Sequence, residues 1–239
     1  MQTSNGALTD RVKGTPQGGV ISPILSNLCM HYCFDYWMKR NFSTIEWCRY
    51  ADDGLAHCKT EAQALYLLDK IRERFTECGI ELHEDKTKIV YCRDQLRTGK
   101  AENYEFDFLG FRFRTRQARN LKDNRRFNTF SPAPSPIALK QIRHVIKYRW
   151  RLQSWIHYSL DDIARAFNPM IQGWINYYSK FNRSYFVPII KYINDRLRIW
   201  FQKKFPKLRG KKGRTIKLIQ RIIKAKPRLF AHWRWIPMY

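Results

Sequence analysis

Bulky and polar residues alternate along Phe106-Asp107-Phe108-Leu109-Gly110-Phe111-Arg112-Phe113-Arg114, the period of a half-buried strand. Two short, mainly apolar runs flank Asp52-Asp53-Gly54 within Trp47 to Cys58. Aspartate and glycine ahead of a second apolar run meet the needs of a tight turn, which predicts a hairpin with a carboxylate pair at its tip. Ser22-Pro23 predicts a helix start, with Ser22 as cap and Pro23 at the first helical position, running to about Lys39. Thr60-Glu61-Ala62-Gln63 reads as a capping box, and Leu65, Leu68, Ile71 and Phe75 recur at helical spacing until Gly79. Ile80-Glu81-Leu82 and Lys88 to Cys92 are predicted strands around His83-Glu84-Asp85-Lys86-Thr87.

Residues 115 to 136 are rich in Arg, Asn and Pro, and Ser131-Pro132-Ala133-Pro134-Ser135-Pro136 reads as a stiff polyproline-type linker and a domain boundary. Beyond it the period turns helical. Leu139, Ile142 and Ile146 share one face, while Lys140, Arg143, Lys147 and Arg151 form a basic stripe on another. A second helix begins near Ser159, with Asn168-Pro169 restarting or kinking it. Met170, Ile171, Trp174 and Tyr178 follow at core spacing, whereas Gly173 and Asn176 are less easily explained by packing. A third helix starts near Ser184 or Pro188, carries Ile189, Ile193, Leu197 and Trp200, and ends before Pro206. A basic loop, a short helix around Ile216 to Ile223 and His232-Trp233-Arg234-Trp235 close the chain; the two tryptophans suit either base stacking or a core.

Composition changes this picture in one respect. Of the +25 formal charge, residues 1 to 130 hold 21 Lys and Arg against 17 Asp and Glu, and residues 131 to 239 hold 24 against 3. A stripe of one sign in such a segment points to a polyanion and phosphate contact. The 44% apolar content supports a real core. No apolar run approaches the ~20 residues that span a bilayer. The six cysteines all lie in the first half without a Cys-x-x-Cys, as reduced, buried thiols of a cytosolic protein; Cys29 and Cys33 share a helical face as core or as half a metal site.

Carboxylates on a rigid turn suit a hard cation such as Mg²⁺, which leaves positions for water and substrate phosphate, so the hairpin suggests phosphoryl transfer. Tyr50-Ala51-Asp52-Asp53 resembles the Tyr-x-Asp-Asp signature of reverse transcriptases. Gln17-Gly18-Gly19-Val20-Ile21-Ser22-Pro23, upstream of it, resembles their Gln-Gly-x-x-x-Ser-Pro motif. Leu82 to Thr87 is similar to Leu-Asn-x-x-Lys-Thr, with His83 in place of Asn. Asn168 to Tyr178 closely resembles the thumb, or maturase (X), domain of group II intron-encoded proteins.

The resemblance implies an RNA-directed DNA polymerase and intron maturase. Asp52 and Asp53 would be catalytic and hold Mg²⁺, and Lys86 would contact phosphate or protonate the leaving pyrophosphate. Gln17, Gly18, Gly19 and Tyr50 would position template and nucleotide, and Leu109-Gly110 would be the primer grip. Lys140, Arg143, Lys147 and Arg151 are the expected RNA contacts. Implied partners are a group II intron RNA, an RNA template, a DNA primer and dNTPs, with no membrane, in a bacterial cytosol or organelle matrix. The resemblance begins in mid-palm, so a separately encoded fingers and first palm segment is a further expected partner, and unaided polymerase activity is left open. The alternative is a non-enzymatic RNA-binding splicing cofactor. The expected fold is α+β: a partial palm over 1–130, an antiparallel sheet with packed helices, then an all-α thumb/maturase domain over 131–205. Residues 206–239 are expected to be a basic tail that could bind DNA.

Overall fold

The computed structural model describes residues 18–120 and 122–235. The chain divides into two compact units, Met1–Ile89 and Val90–Tyr239, so the division falls before the Phe106 strand and not near residue 131.

In the first unit a continuous helix runs from Ser22 to Asn41 as α1 (Ser22–Met30), a π-helical turn (His31–Asp35) and α2 (Tyr36–Asn41). Ile21 occupies the cap position, so Ser22 and Pro23 are its first two helical residues and the helix begins one residue earlier than expected. A π turn inserts an extra residue into the ladder and re-aims the side chains it carries. Here those include Phe34 and Asp35, which meet the hairpin at Trp47 and Arg49. Strands β1 (Glu46–Tyr50) and β2 (Asp53–His57) pair antiparallel, with Tyr50 opposite Asp53. The turn is therefore Ala51-Asp52, one residue earlier than the Asp-Asp-Gly pattern suggested. Asp53 and Gly54 belong to the strand.

Helix α3 (Glu61–Glu77) is capped by the Thr60 hydroxyl, which accepts from the Gln63 backbone N–H, while the Gln63 side chain reaches the Lys59 N–H. Phe34, Met38, Ile45, Leu67 and Phe75 form the core of the unit. By contrast α1 buries none of its side chains, and Ile24, Leu25 and Leu28 are exposed. The stretches 80–82 and 88–92 enter no sheet of the described residues. The second stretch does meet a later part of the chain, the Tyr91 N–H donating to the Asn103 carbonyl at 2.9 Å.

In the second unit β3 (Glu105–Phe108), β4 (Phe111–Arg119) and β5 (Arg126–Pro134) form an antiparallel sheet in that order. The supposed linker is thus the end of β5. Its prolines fall at every second position, which removes N–H groups from one side of the strand only, and β5 is an edge strand whose outer side pairs with no other strand of the described residues. Ser131 and Ala133 pair with Arg114 and Arg112, and Ser135 then donates to the Gly110 carbonyl at 2.9 Å. Ser135 also caps α4 (Pro136–His144), with Pro136 as its first residue.

Helix α5 (Leu160–Tyr178) starts at a full capping box on Ser159 and Asp162 and continues through Pro169 without a restart. Asn168 instead clips the C-terminal segment, donating to the Leu229 carbonyl (2.8 Å) and accepting from the Ala231 N–H (3.0 Å). Helices α6 (Val187–Lys204) and α7 (Lys212–Ala225) complete the unit. Ile146, Ile163, Ile171, Ile189, Ile193, Leu197 and Trp200 form one core with Ile219, Ile223, Phe230 and Trp233. Residues 206–235 are therefore part of the helical unit and not a tail, and Trp233 is core and not a stacking platform. Met170, expected inside, is exposed, although its sulfur accepts the Trp150 indole N–H at 3.4 Å. Gly173 lies on the open side of α5 with nothing within 4 Å of a Cβ built there, so packing does not explain it.

Candidate active site

The hairpin has two faces because side chains alternate along a strand. Trp47 and Arg49 point to the helix, where Trp47 meets Phe34 edge-on with ring centroids 5.3 Å apart. Asp53 pairs with Tyr50 and lies on the opposite face with it; both are exposed. Asp52 occupies the turn and is also exposed. Neither aspartate forms an ion pair with a described residue.

Arg49 fixes this turn. Its Nε and one terminal nitrogen form a bidentate pair with Asp35 (2.7 and 2.6 Å). The other terminal nitrogen donates to the Ala51 carbonyl at 2.6 Å and to Asn27 Oδ1 at 3.1 Å. Ala51 has a φ of 53°, a conformation that costs a non-glycine residue roughly 1–2 kcal/mol. The Arg49 hydrogen bond to its carbonyl holds that conformation, and with it the direction of Asp52. The hydrogen bonds from Arg49 keep the Asp35 carboxyl below the usual carboxylate range. Arg49 and Asp35 were not singled out from the sequence. The available signal was a lone arginine on the same strand face as Trp47 and an aspartate three residues before Met38 in a mainly apolar helix.

Lys86 is exposed on a turn closed by the His83 carbonyl, which accepts from Lys86 N–H (3.1 Å), Thr87 N–H (2.9 Å) and Thr87 Oγ1 (2.9 Å). The turn uses the His83 backbone, so histidine serves there as well as asparagine would. Lys86 makes no ion pair with Asp52 or Asp53. Gln17 lies outside the described residues. Gly18 is exposed with φ of 85°, a backbone that glycine adopts without strain, and Gly19 is half-buried.

Leu109 and Gly110 form the turn between β3 and β4, with φ of 48° and 77°. The Leu109 carbonyl accepts from the Tyr177 hydroxyl at 2.7 Å, and a Cβ on Gly110 would lie 3.0 Å from the Tyr178 oxygen. The glycine thus has a structural reason inside the chain, since α5 closes on the turn where a primer backbone was expected. Of the basic stripe, Lys140 and Arg143 stand on α4 and Lys147 on the π-helical turn Val145–Arg149, while Arg151 lies beyond the helix with φ of 45°. Lys140, Lys147 and Arg151 are exposed and Arg143 is half-buried.

The donor set at the hairpin suits a hard divalent cation: two exposed carboxylates with no ion pair to a described residue, one on a turn anchored from behind and one on the strand residue that follows it. Among the described residues no group of three or more His, Cys, Asp or Glu gathers into a metal-holding cluster. The Cys29 and Cys33 sulfurs are 3.7 Å apart, and burial, with hydrogen bonds to Cys78 and Cys29, pushes the Cys33 thiol up to about 12, which keeps it protonated at neutral pH. No helix among the described residues is long and apolar enough to cross a membrane.

A family model for reverse transcriptase (RNA-dependent DNA polymerase) matches residues 2–113, and one for the group II intron maturase-specific domain matches residues 139–219. No curated protein matches the chain. The first match covers the hairpin, the Lys86 turn and the β3–β4 turn; the second covers most of α4 through the first half of α7. A polymerase segment followed on the same chain by an intron-specific maturase segment places this protein in the group II intron reverse transcriptase/maturase family.

Proposed function

We propose that Asp52 and Asp53 are ligands of the Mg²⁺ centre of an RNA-directed DNA polymerase, and that the helical unit binds the phosphates of intron RNA. The observation that carries the first part is the hairpin: Asp52 on the turn and Asp53 at the start of β2, neither in an ion pair with a described residue, beside a backbone held by Arg49 and Asp35. A divalent cation bound there would offset the charge of a nucleoside triphosphate and of the attacking 3′-hydroxyl oxygen. Asp52 and Asp53 supply the hard oxygens, and the rigid turn keeps them in place so that little reorganisation is needed.

Lys86, on its own tight turn in the same unit, is the candidate to meet the triphosphate or protonate the leaving pyrophosphate. Tyr50 shares the Asp53 face and offers a ring beside the incoming nucleotide, and Gln17, Gly18 and Gly19 would position template and nucleotide. For Leu109 and Gly110 a primer contact is limited to the side of the turn away from α5. Lys140, Arg143, Lys147 and Arg151 are the proposed phosphate contacts of the helical unit, supported by 24 cationic against 3 acidic residues beyond position 130.

Extension of a DNA primer on an RNA template tests the reading. Losing a metal-binding carboxylate costs several kcal/mol at the transition state, so Asp52→Asn should lower the rate by about 100-fold or more. Synthesis that is indifferent to Asp52→Asn would overturn it.

A further inference from the structure

Between α6 and α7 lies a crevice of about 450 Å³, walled by Lys191, Tyr192, Asp195 and Arg198 from one helix and Lys212 and Ile216 from the other. That volume falls within the range of ~300–1,000 Å³ typical of small-molecule sites. Asp195 is taken by Arg198 (3.0 Å), whose second nitrogen reaches Gln202 (3.0 Å). Lys191 and Lys212 form no ion pair with any described residue. The first turn of α7, which carries Lys212, has no acidic residue to offset that charge.

Asn194 also lines the crevice, and its orientation is fixed from inside. The Trp233 indole N–H, which can only donate, lies 3.0 Å from Asn194 Oδ1, and His232 Nε2 lies 2.8 Å from the same oxygen. The amide oxygen is therefore turned to the core. The Asn194 nitrogen is turned the other way, with no acceptor among the described residues, and gives the crevice a neutral donor.

A ligand that satisfies these walls has an anionic group for the two lysines, a flat ring to lie against Tyr192 and Ile216, and an acceptor for the Asn194 N–H. We propose that the crevice binds one unstacked nucleotide of an RNA strand, such as a bulged residue, its phosphate on Lys191 and Lys212 and its base beside Tyr192. A paired base cannot enter a space of this size. The proposal rests on the RNA-binding reading above and adds a defined place to it.

The test uses the full chain and two RNA hairpins, one with a single bulged 2-aminopurine and one with 2-aminopurine paired in the stem. The expected result is a fluorescence change on binding for the bulged probe alone. Lys191→Ala with Lys212→Ala should lower affinity for the bulged hairpin by about tenfold, the worth of one charge-assisted hydrogen bond, and affect the paired hairpin far less. Asn194→Asp keeps the buried acceptor but removes the donor, and should act in the same direction; the two lysines are exposed, so their variant stays interpretable if Asn194→Asp unfolds. Equal binding of both hairpins, unaltered by the lysine substitutions, would reject the crevice while leaving general RNA binding intact. Failure to bind either hairpin would reject the RNA-binding reading and the crevice with it.

Discussion

Arg49 holds Asp35 through two parallel hydrogen bonds of 2.7 and 2.6 Å, and the same guanidinium holds the Ala51 carbonyl. The helix, the hairpin and the aspartate-bearing turn therefore share one cation. A lysine keeps the charge but cannot form the fork. Arg49→Lys should destabilise the first unit by about 1–3 kcal/mol, as expected for lost hydrogen bonds to a partly buried charge. Urea unfolding would measure it.

The same pair sets a pH dependence. Asp35 titrates below its unfolded value, so its contribution is present above an unfolded pKa of about 3.9 and is lost as pH falls through the lower folded value. Acid unfolding of the wild type below about pH 4 should be steeper than that of Asp35→Asn. Equal slopes would mean that the pair is not linked to stability.

His232 produces a window of the same sign at higher pH, because here it is the neutral form that the fold favours. Burial lowers its folded pKa to about 3, from 6.5. The unfolded chain thus takes up a proton that the folded chain refuses. This histidine's contribution is complete above pH 6.5 and declines by up to about 1.4 kcal/mol for each unit below it. Denaturation at pH 7.5 and 5.5 should show that loss in the wild type and a smaller one in His232→Gln.

Gly110 is constrained twice, by its φ of 77° and by the Tyr178 oxygen 3.0 Å from its missing Cβ. Gly110→Ala should cost about 1–3 kcal/mol. In a Tyr178→Phe background the steric part should disappear and only the backbone part remain. A double-mutant cycle on thermal stability separates the two, and simple additivity would rule out the contact.

The apolar spacings of α4 and α6 were legible because a buried helical face repeats every 3.6 residues whatever its partner, whereas in α3 Phe75 is core but Leu65 is exposed and Leu67 is buried instead. Ile142, Ile146, Ile189, Ile193, Leu197 and Trp200 are all core as expected. The prolines at 132 and 134 misled, since a linker and an edge strand place the same demand on the backbone and differ only in the neighbour on one side. The Asp-Asp-Gly pattern located the hairpin but put its turn one residue late, because an alanine in a positive-φ conformation leaves no mark in the sequence. What supports that alanine, Arg49 on Asp35, lies across 14 residues and depends on a π-helical turn that no periodicity announces. Likewise the burial of residues 215–233 was hidden beneath a basic composition, whose lysines and arginines occupy the outer faces of α7.

Phosphate contact by the helical unit has a signature in salt. Replacing Lys140, Lys147 or Arg151 with alanine should each flatten the slope of log affinity against log salt by roughly 0.7–0.9, measured on a structured RNA. A slope that stays constant across the three variants would remove the stripe from the interface.

Binding of Mn²⁺, a paramagnetic substitute for Mg²⁺, followed by electron paramagnetic resonance on the full chain, tests the assignment of the carboxylate pair without depending on turnover. The account predicts a saturable site in the wild type that weakens by about tenfold or more in Asp52→Asn and in Asp53→Asn, and less in Arg49→Lys, which disturbs the turn but keeps both ligands. Mn²⁺ binding that is identical in the wild type and in both aspartate variants would contradict it.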